Sequence, residues 1–210
     1  MKLLNYNFRD LYKQCVVLKN KWMFDGAKKM LSDYSYAGSS DMNATLCFGY
    51  IDSQAGMSFN FLCFANFETG KIDEKSYEKQ LSEKIMLRSR YDAEIEIKPY
   101  LGDISVFDER IKMIDEGYHK NEKVLPTRNI KEIDHLRHNI FPDDILVLLK
   151  KEGFQIEQVW IRLSGIENGN LVGILLNEPN SDFGVYANQL VHAQIIAKGT
   201  DIYVVCLLPK

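Results

Sequence analysis

Apolar residues recur at helical spacing through the first part of the chain. The positions three or four residues apart are Leu4, Phe8, Leu11, Cys15, Leu18 and Trp22. On an α-helix such positions lie on one side, and the intervening polar residues lie on the other. The pattern therefore predicts an amphipathic helix that leads the N-terminal part and packs against the sheet that follows.

Two apolar runs then predict a β-hairpin. Residues 44–51 read ATLCFGYI and residues 57–66 read MSFNFLCFAN, and both runs are rich in aromatic and other apolar side chains. Between them, residues 52–56 (DSQAG) carry the residue types of a turn. We expect one face of this hairpin to be strongly buried.

Weaker patterns continue the N-terminal part. A helix is predicted over 73–91, with Asp73 or alternatively Ser76 as its N-cap, and a short strand over 93–97. A second short strand is predicted over 104–107, followed by a helix over 108–118 whose apolar residues keep the helical spacing.

The pattern changes to repeated short strands near residue 144, after a polar stretch that contains two prolines. The predicted strands are 145–150, 158–163, 171–177, 190–197 and 202–208, and each break between them contains a glycine. Short strands at this spacing are typical of a small antiparallel barrel, which has no exposed sheet edges.

These elements together predict an α+β protein in three parts. Residues 1–125 form a sandwich-like α+β domain led by the amphipathic helix, residues 126–143 a linker or lead-in segment, and residues 144–210 the small β-barrel-like domain.

Composition narrows the classes of partner. The 26 basic and 29 acidic residues give a net charge of −3, whereas nucleic-acid binding usually requires a basic excess. No apolar run reaches the length of a membrane span, and the N-terminus lacks the pattern of a signal peptide. We therefore expect a cytoplasmic protein that binds neither nucleic acid nor membrane, with an oligomeric state that the sequence leaves open.

Catalytic signatures are absent from the sequence. It contains no GxSxG, GxxxxGK[ST], GxGxxG or HExxH motif. We therefore expect a protein that is not an enzyme and that needs no cofactor. The stretch 134–144 (DHLRHNIFPDD) offers the alternative, because His135, His138 and Asp143 could ligate zinc or iron if they shared one side of a helix. Surface or helix-capping histidines are the competing interpretation.

A second distinct segment runs from residue 173 to residue 184 (GILLNEPNSDFG). Asn177, Glu178 and Pro179 end an apolar strand and begin a loop rich in turn-forming residues. The loop could simply set the register of the next strand, or it could be an exposed recognition loop on a rigid scaffold.

The C-terminal part also resembles a known family. Trp160 with Ile161, then the run from Gly173 to Pro179, then Gly184 fit the pattern W-[VI]…G-x-L-x-N-x-P. This pattern is similar to that of an uncharacterised bacterial family of small β-rich domains, and the likeness covers about residues 130–208. At residues 185–189 (VYANQ) the chain departs from the glycine–aspartate turn that is common in the family.

The resemblance implies a function. Related families include candidate immunity proteins, which bind and neutralise a cognate bacterial toxin. We therefore expect a non-catalytic binding protein whose partner is a protein, with a toxin domain as the leading candidate. The predicted contact residues are Trp160, Asn177, Glu178, Pro179, Asp182 and Tyr186. The alternatives are a metal-dependent enzyme built around His135 and His138, and a structural subunit that self-associates through its N-terminal helix.

Overall fold

The computed structural model describes residues 2–32, 40–77, 84–86, 95–118 and 122–208. The chain divides into two compact units, Met1–His119 and Lys120–Lys210. The first holds an antiparallel sheet and helices, and the second holds a closed five-stranded barrel, so the predicted α+β class with a barrel-like C-terminal domain is confirmed.

The sheet of the first unit has six described strands. They are β1 (Cys15–Lys19), β2 (Ala44–Asp52), β3 (Gly56–Ala65), β4 (Ile72–Asp73), β5 (Lys84–Met86) and β6 (Glu96–Pro99). Their order is β4-β3-β2-β1-β6, and β5 also pairs with β3. Every recorded pair is antiparallel.

The predicted hairpin is β2 and β3. The carboxylate of Asp52 accepts hydrogen bonds from the amides of Gln54 and Ala55, both at 2.8 Å, and so closes the turn. Leu62 is an extra residue in β3, because Leu46 pairs with Cys63 while the next residue, Cys47, pairs with Phe61. This bulge turns both Leu62 and Cys63 toward the same core cluster.

The predicted leading helix is wrong. Its residues form a 3₁₀ turn (Leu3–Asn5), helix α1 (Phe8–Leu11), strand β1 and the start of helix α2 (Lys21–Ser32). Asn7 caps α1 in a capping box with Asp10, which makes that helix begin late. The run 15–18 (CVVL) is buried throughout and lies between β2 and β6, where β-branched residues pack well.

Of the predictions for residues 93–118, one is confirmed, one is wrong and one has a shifted boundary. The helix over 108–118 is confirmed as α3 (Asp108–Tyr118). The predicted strand over 104–107 is wrong, because Ser105–Phe107 is a 3₁₀ turn. Strand β6 begins later than the predicted strand over 93–97, at Glu96.

The predicted helix over 73–91 is also wrong where it can be compared with the structure. It contains a 3₁₀ turn at Glu74–Ser76 and strand β5, whose pairing with β3 overrides the helical pattern. The rest of that prediction lies outside the described residues.

Helices cover both faces of this sheet. On one face Phe107 and Ile114, from the 3₁₀ turn and α3, join the core side chains of β1 and β2. On the other face Ala27 and Leu31 of α2 pack with Phe61 and Phe64 of β3. Because both faces are buried, β2 and β3 are continuous apolar runs and do not alternate strictly. In the described ranges, every helix is too short or too polar to cross a lipid bilayer.

The barrel of the second unit confirms the five predicted C-terminal strands. They are β7 (Asp144–Leu149), β8 (Glu157–Glu167), β9 (Asn170–Leu175), β10 (Leu190–Lys198) and β11 (Asp201–Leu207). They close in the order β10-β11-β7-β8-β9, with antiparallel pairing except where β11 meets β7 in parallel. Alternate residues of β8, namely Val159, Ile161 and Leu163, point into the core.

The segment predicted as a linker belongs to the barrel unit. It holds helix α4 (Leu125–Arg128) and a 3₁₀ helix (Lys131–Leu136). Ile133 is fully buried in the barrel core, and Ile130 and Leu136 pack against that core. Ile130, Ile133 and Leu136 recur every three residues. In a 3₁₀ helix this spacing places side chains on one side, which here packs against the barrel.

Candidate binding surface

The loop between β9 and β10 closes on itself at its base. The amide of Leu175 donates to the carbonyl of Gln189 at 2.9 Å, and the amide of Asn188 donates to the carbonyl of Leu175 at 2.7 Å. Residues 176–189 therefore leave the barrel and return to it at one point, as compact surface loops do.

Two side chains anchor this loop from inside. Phe183 is 1% exposed and Val185 is 6% exposed, and both belong to the barrel core cluster. The ring of Phe154, from the turn between β7 and β8, packs with its centroid 5.4 Å from that of Phe183. The packing of these two side chains in the barrel core therefore fixes the position of the loop backbone.

Carboxylates stabilise the outer part of the loop. Glu178 accepts a hydrogen bond from the amide of Ala187 at 2.8 Å, which spans the loop. Asp182 accepts from the amide of Gly184 at 3.0 Å and from the hydroxyl of Tyr186 at 3.1 Å. The hydrogen bond to Asp182 and the charge of that carboxylate raise the pKa of Tyr186, so its phenol stays protonated.

Neighbouring barrel residues support the loop from the side. The carboxylate of Glu157 accepts from the backbone amide of Asn180 at 2.7 Å and from its side-chain amide at 3.2 Å. The Lys151 ammonium donates to the carbonyl of Asp182 at 3.1 Å. A hydrogen bond from the Ser181 side chain, with help from Asn180, lowers the pKa of Glu157 below its usual range.

We expect Glu157→Gln to loosen the loop around Asn180. The neutral amide accepts more weakly than the carboxylate, so hydrogen-exchange protection of the Asn180 amide should fall several-fold. Because the folded pKa of Glu157 is lowered, its support in the wild type is complete above the ordinary value of 4.5. That support is lost as the pH falls through the folded value.

The matched control for this variant is Glu152→Gln, which neutralises an exposed carboxylate in the adjacent turn. Equal protection of the Asn180 amide in both variants, each corrected for intrinsic exchange, would show that Glu157 does not hold the loop.

Trp160 lies beside the base of the loop. Its amide donates to the side-chain oxygen of Asn177 at 2.8 Å, and its carbonyl accepts from the amide of Leu176 at 2.8 Å. The half-buried indole is on the outer side of β8, with the His138 ring 5.6 Å away in an edge-on arrangement. The structure therefore brings Trp160 and Asn177 together. The sequence alone did not predict this contact.

The exposed part of this region forms what we call the loop surface, made of Leu176, Glu178, Asp182, Tyr186 and Leu190. Tyr186 is 46% exposed and Leu190 is 57% exposed, whereas Pro179 is half-buried within the loop. Sequence reasoning named Glu178, Asp182 and Tyr186 but missed Leu176 and Leu190, which looked like strand residues. The sequence did offer one indication that these two leucines belong to the surface, since they lie at the ends of the two predicted strands that flank the loop.

Both histidines of residues 134–144 make hydrogen bonds to the backbone. The Nε2 of His135 donates to the carbonyl of Ile202 at 3.1 Å, and the Nδ1 of His138 accepts from the amides of Ile140 and Phe141, both at 3.2 Å. Asp143 is engaged by Arg128. Among the described residues, no three His, Cys, Asp or Glu side chains are placed to hold a metal ion. The structure does not bring His135, His138 and Asp143 together as a ligand set.

Two arginine–aspartate pairs with two hydrogen bonds each lie in and beside the same segment and were not predicted, nor was the single contact of Arg137 with Asp134 at 3.0 Å. Arg128 binds Asp143 through two hydrogen bonds, of 2.9 and 2.7 Å, and Arg162 binds Asp144 through two, of 2.6 and 2.8 Å. The Arg128 and Asp143 side chains are only 7% and 14% exposed. The first pair joins helix α4 to the residue that precedes β7, and the second pair joins β7 to β8, so Asp143 and Asp144 both have a structural role.

A groove of about 620 Å³ lies along the seam between β7 and β11. Its lining includes Leu148, Tyr203, Asp201 and His135, and Val205 pairs with Leu148 at the seam itself. His135 and Ile202, which are joined by a hydrogen bond, form part of the groove wall.

Comparisons of the chain with models of known protein families, with curated proteins and with solved structures find no match. The family resemblance of residues 130–208 therefore stays a prediction.

Proposed function

We propose that this chain is a non-catalytic binding protein that engages a protein partner through the loop surface. The observation that carries the proposal is the construction of the loop, which is closed at its base, plugged by Phe183 and crossed by the Glu178–Ala187 hydrogen bond. A loop that is already ordered loses little conformational freedom on binding, so its exposed side chains can contribute most of their contact energy to affinity.

The chemistry of the loop favours a basic partner surface. Residues 176–189 contain two carboxylates and no lysine or arginine. Glu178 and Asp182 each use part of their hydrogen-bonding capacity within the loop and stay exposed. Complementary charge accelerates association and selects against acidic partners. Tyr186 adds an exposed aromatic ring of the kind that often dominates binding energy.

The proposed partner class is a bacterial toxin domain, which the chain would neutralise by covering its basic active surface. This part of the proposal rests on the sequence resemblance of residues 130–208 to relatives of candidate immunity proteins, together with the acidic loop. The most direct test of the proposed partner class uses the product of any toxin-like gene that is encoded beside this one.

We expect the purified chain to bind that neighbouring gene product, and Tyr186→Ser to weaken binding by about 30-fold or more. The loss follows from removing a ring that is 46% exposed on a rigid loop. Isothermal titration calorimetry would measure the dissociation constant, and circular dichroism would show that the variant is folded.

The matched control is Tyr203→Ser, since Tyr203 is 37% exposed on β11, away from the loop. Its affinity should stay within about threefold of the wild type. Absence of binding to the neighbouring gene product would refute the toxin assignment. Equal losses in the two tyrosine variants would refute the loop surface.

A further inference from the structure

The groove between β7 and β11, which we call the seam groove, has an apolar floor that the barrel core does not explain. Ile145, Val147 and Leu149 of β7 point into the core. The alternate residues Leu146 and Leu148 therefore face outward, where they are half-buried and line the seam groove. Outward positions of a strand are usually polar, so these two leucines indicate a surface that binds an apolar group.

The seam groove has the size of a site for a small molecule. Its volume of about 620 Å³ lies within the range of roughly 300–1,000 Å³ that is typical of ligand pockets. Leu136 of the 3₁₀ helix adds a third leucine to its lining. A few polar groups beside such an apolar floor orient a ligand and select its chemical class.

The polar groups of the seam groove are mainly acidic. Glu132 and Asp201 line it and are exposed, and none of the described lining residues is a lysine or an arginine. Asp201 accepts a hydrogen bond from the hydroxyl of Tyr203 at 3.3 Å. Within the described part of the chain, Glu132 makes no hydrogen bond or ion pair, and Lys198 stands opposite Asp201 without an ion pair. Both carboxylates therefore keep lone pairs for a donor.

We propose that the seam groove binds an organic cation, namely an amine carried on an aromatic or aliphatic body. The apolar body lies on Leu146 and Leu148, and the ammonium group donates hydrogen bonds to the carboxylates of Glu132 and Asp201. The apolar floor lowers the screening of these charges by water and so strengthens the attraction. The same carboxylates repel anions, and a neutral molecule gains only the apolar contact, so charge sets the selectivity.

This site is separate from the loop surface, because no residue of the loop surface lines the seam groove. The inference therefore does not depend on the proposed function. The two are also tested by different ligands, a small amine here and a protein partner there.

Titration of the full chain with tryptamine, followed by NMR of the backbone amides at pH 8, tests the proposal. Tryptamine carries a primary ammonium group on an indole body. We expect saturable shifts in β7, in β11 and in the 3₁₀ helix, with a dissociation constant of about 1 mM or tighter.

Three related probes separate the contributions of charge and apolar contact. Tryptophol, which has a hydroxyl in place of the ammonium group, should bind about tenfold more weakly. Indole-3-propionate should not saturate, because its charge is repelled. Ethylamine should not saturate either, because it has no body to cover the leucines.

Two variants test the assigned carboxylates. Asp201→Asn and Glu132→Gln should each weaken tryptamine binding by about three- to fivefold and leave tryptophol binding within about twofold. The matched control Glu152→Gln neutralises an exposed carboxylate outside the groove, in the turn between β7 and β8, and should change neither.

Four outcomes would each overturn the proposal. They are a tryptamine titration that does not saturate, shifts centred away from the seam groove, equal affinities for tryptamine and tryptophol, and losses in the two groove variants no larger than that in Glu152→Gln.

Discussion

Gly49→Ala is expected to destabilise the first unit by about 3 kcal/mol or more. Gly49 lies in β2, where a Cβ atom would stand 2.1 Å from the carbonyl oxygen of Leu11. Two backbone hydrogen bonds fix this approach, from the amide of Lys13 to the carbonyl of Gly49 at 2.8 Å and from the amide of Gly49 to the carbonyl of Gln14 at 2.9 Å. A methyl group can enter only if the segment after α1 moves away from the sheet.

The matched control is Gly26→Ala in α2, where a Cβ atom would meet nothing within 4 Å. Alanine is the better helix former, so this variant should gain about 0.5–1 kcal/mol. Hydrogen-exchange mass spectrometry resolves the two units separately, and peptides from β2 and β3 report the loss. Unchanged protection of those peptides in Gly49→Ala would contradict the close approach.

Asp143→Asn is expected to destabilise the barrel unit by about 3 kcal/mol. The variant keeps the shape of the side chain but removes the charge that faces the Arg128 guanidinium, whose side chain is 7% exposed. Burying the arginine charge costs desolvation free energy, and the bidentate carboxylate normally offsets that cost. Without the negative charge, the desolvation cost remains and the attraction that offset it is lost. Peptides from β7 and β8 should lose exchange protection together, because the pair holds α4 to the start of β7.

Two comparisons sharpen this test. Asp25→Asn removes an exposed partner of Lys21 on α2 and should change stability by less than about 0.5 kcal/mol. The double variant Arg128→Leu/Asp143→Leu should be less destabilised than Asp143→Asn alone, because it removes both charges of the pair and leaves neither one buried without the other. A cost for Asp143→Asn no larger than that for Asp25→Asn would show that the buried pair does not hold this segment.

The barrel strands were predictable because each one carries its own signals. Alternation along β8 and a glycine in every break indicate the element type and its approximate position locally, although β8 continues past Gly165 to Glu167. The N-terminal segment misled for the opposite reason, since apolar residues of α1, β1 and α2 happen to continue one helical spacing. What makes 15–18 a strand is pairing with β2 and β6, which lie far away in the sequence.

The candidate surface was predictable in position but not in construction. The turn-forming residues around Pro179 identified the loop between β9 and β10. Nothing local showed that Phe183 and Val185 would be buried beneath it, since two apolar residues in a polar loop also fit an exposed patch. The arginine–aspartate pairs join residues 15 and 18 positions apart, so the lead-in segment looked like a solvated linker.

The parallel seam between β7 and β11 determines when the second unit can fold during synthesis. β7 is the first strand of the barrel to leave the ribosome and β11 is the last, yet the two are neighbours at Leu148 and Val205. The cylinder must therefore stay open, with β7 lacking one neighbour, until the final strand emerges. The sheet of the first unit has all its described strands by Pro99 and can form well before that moment.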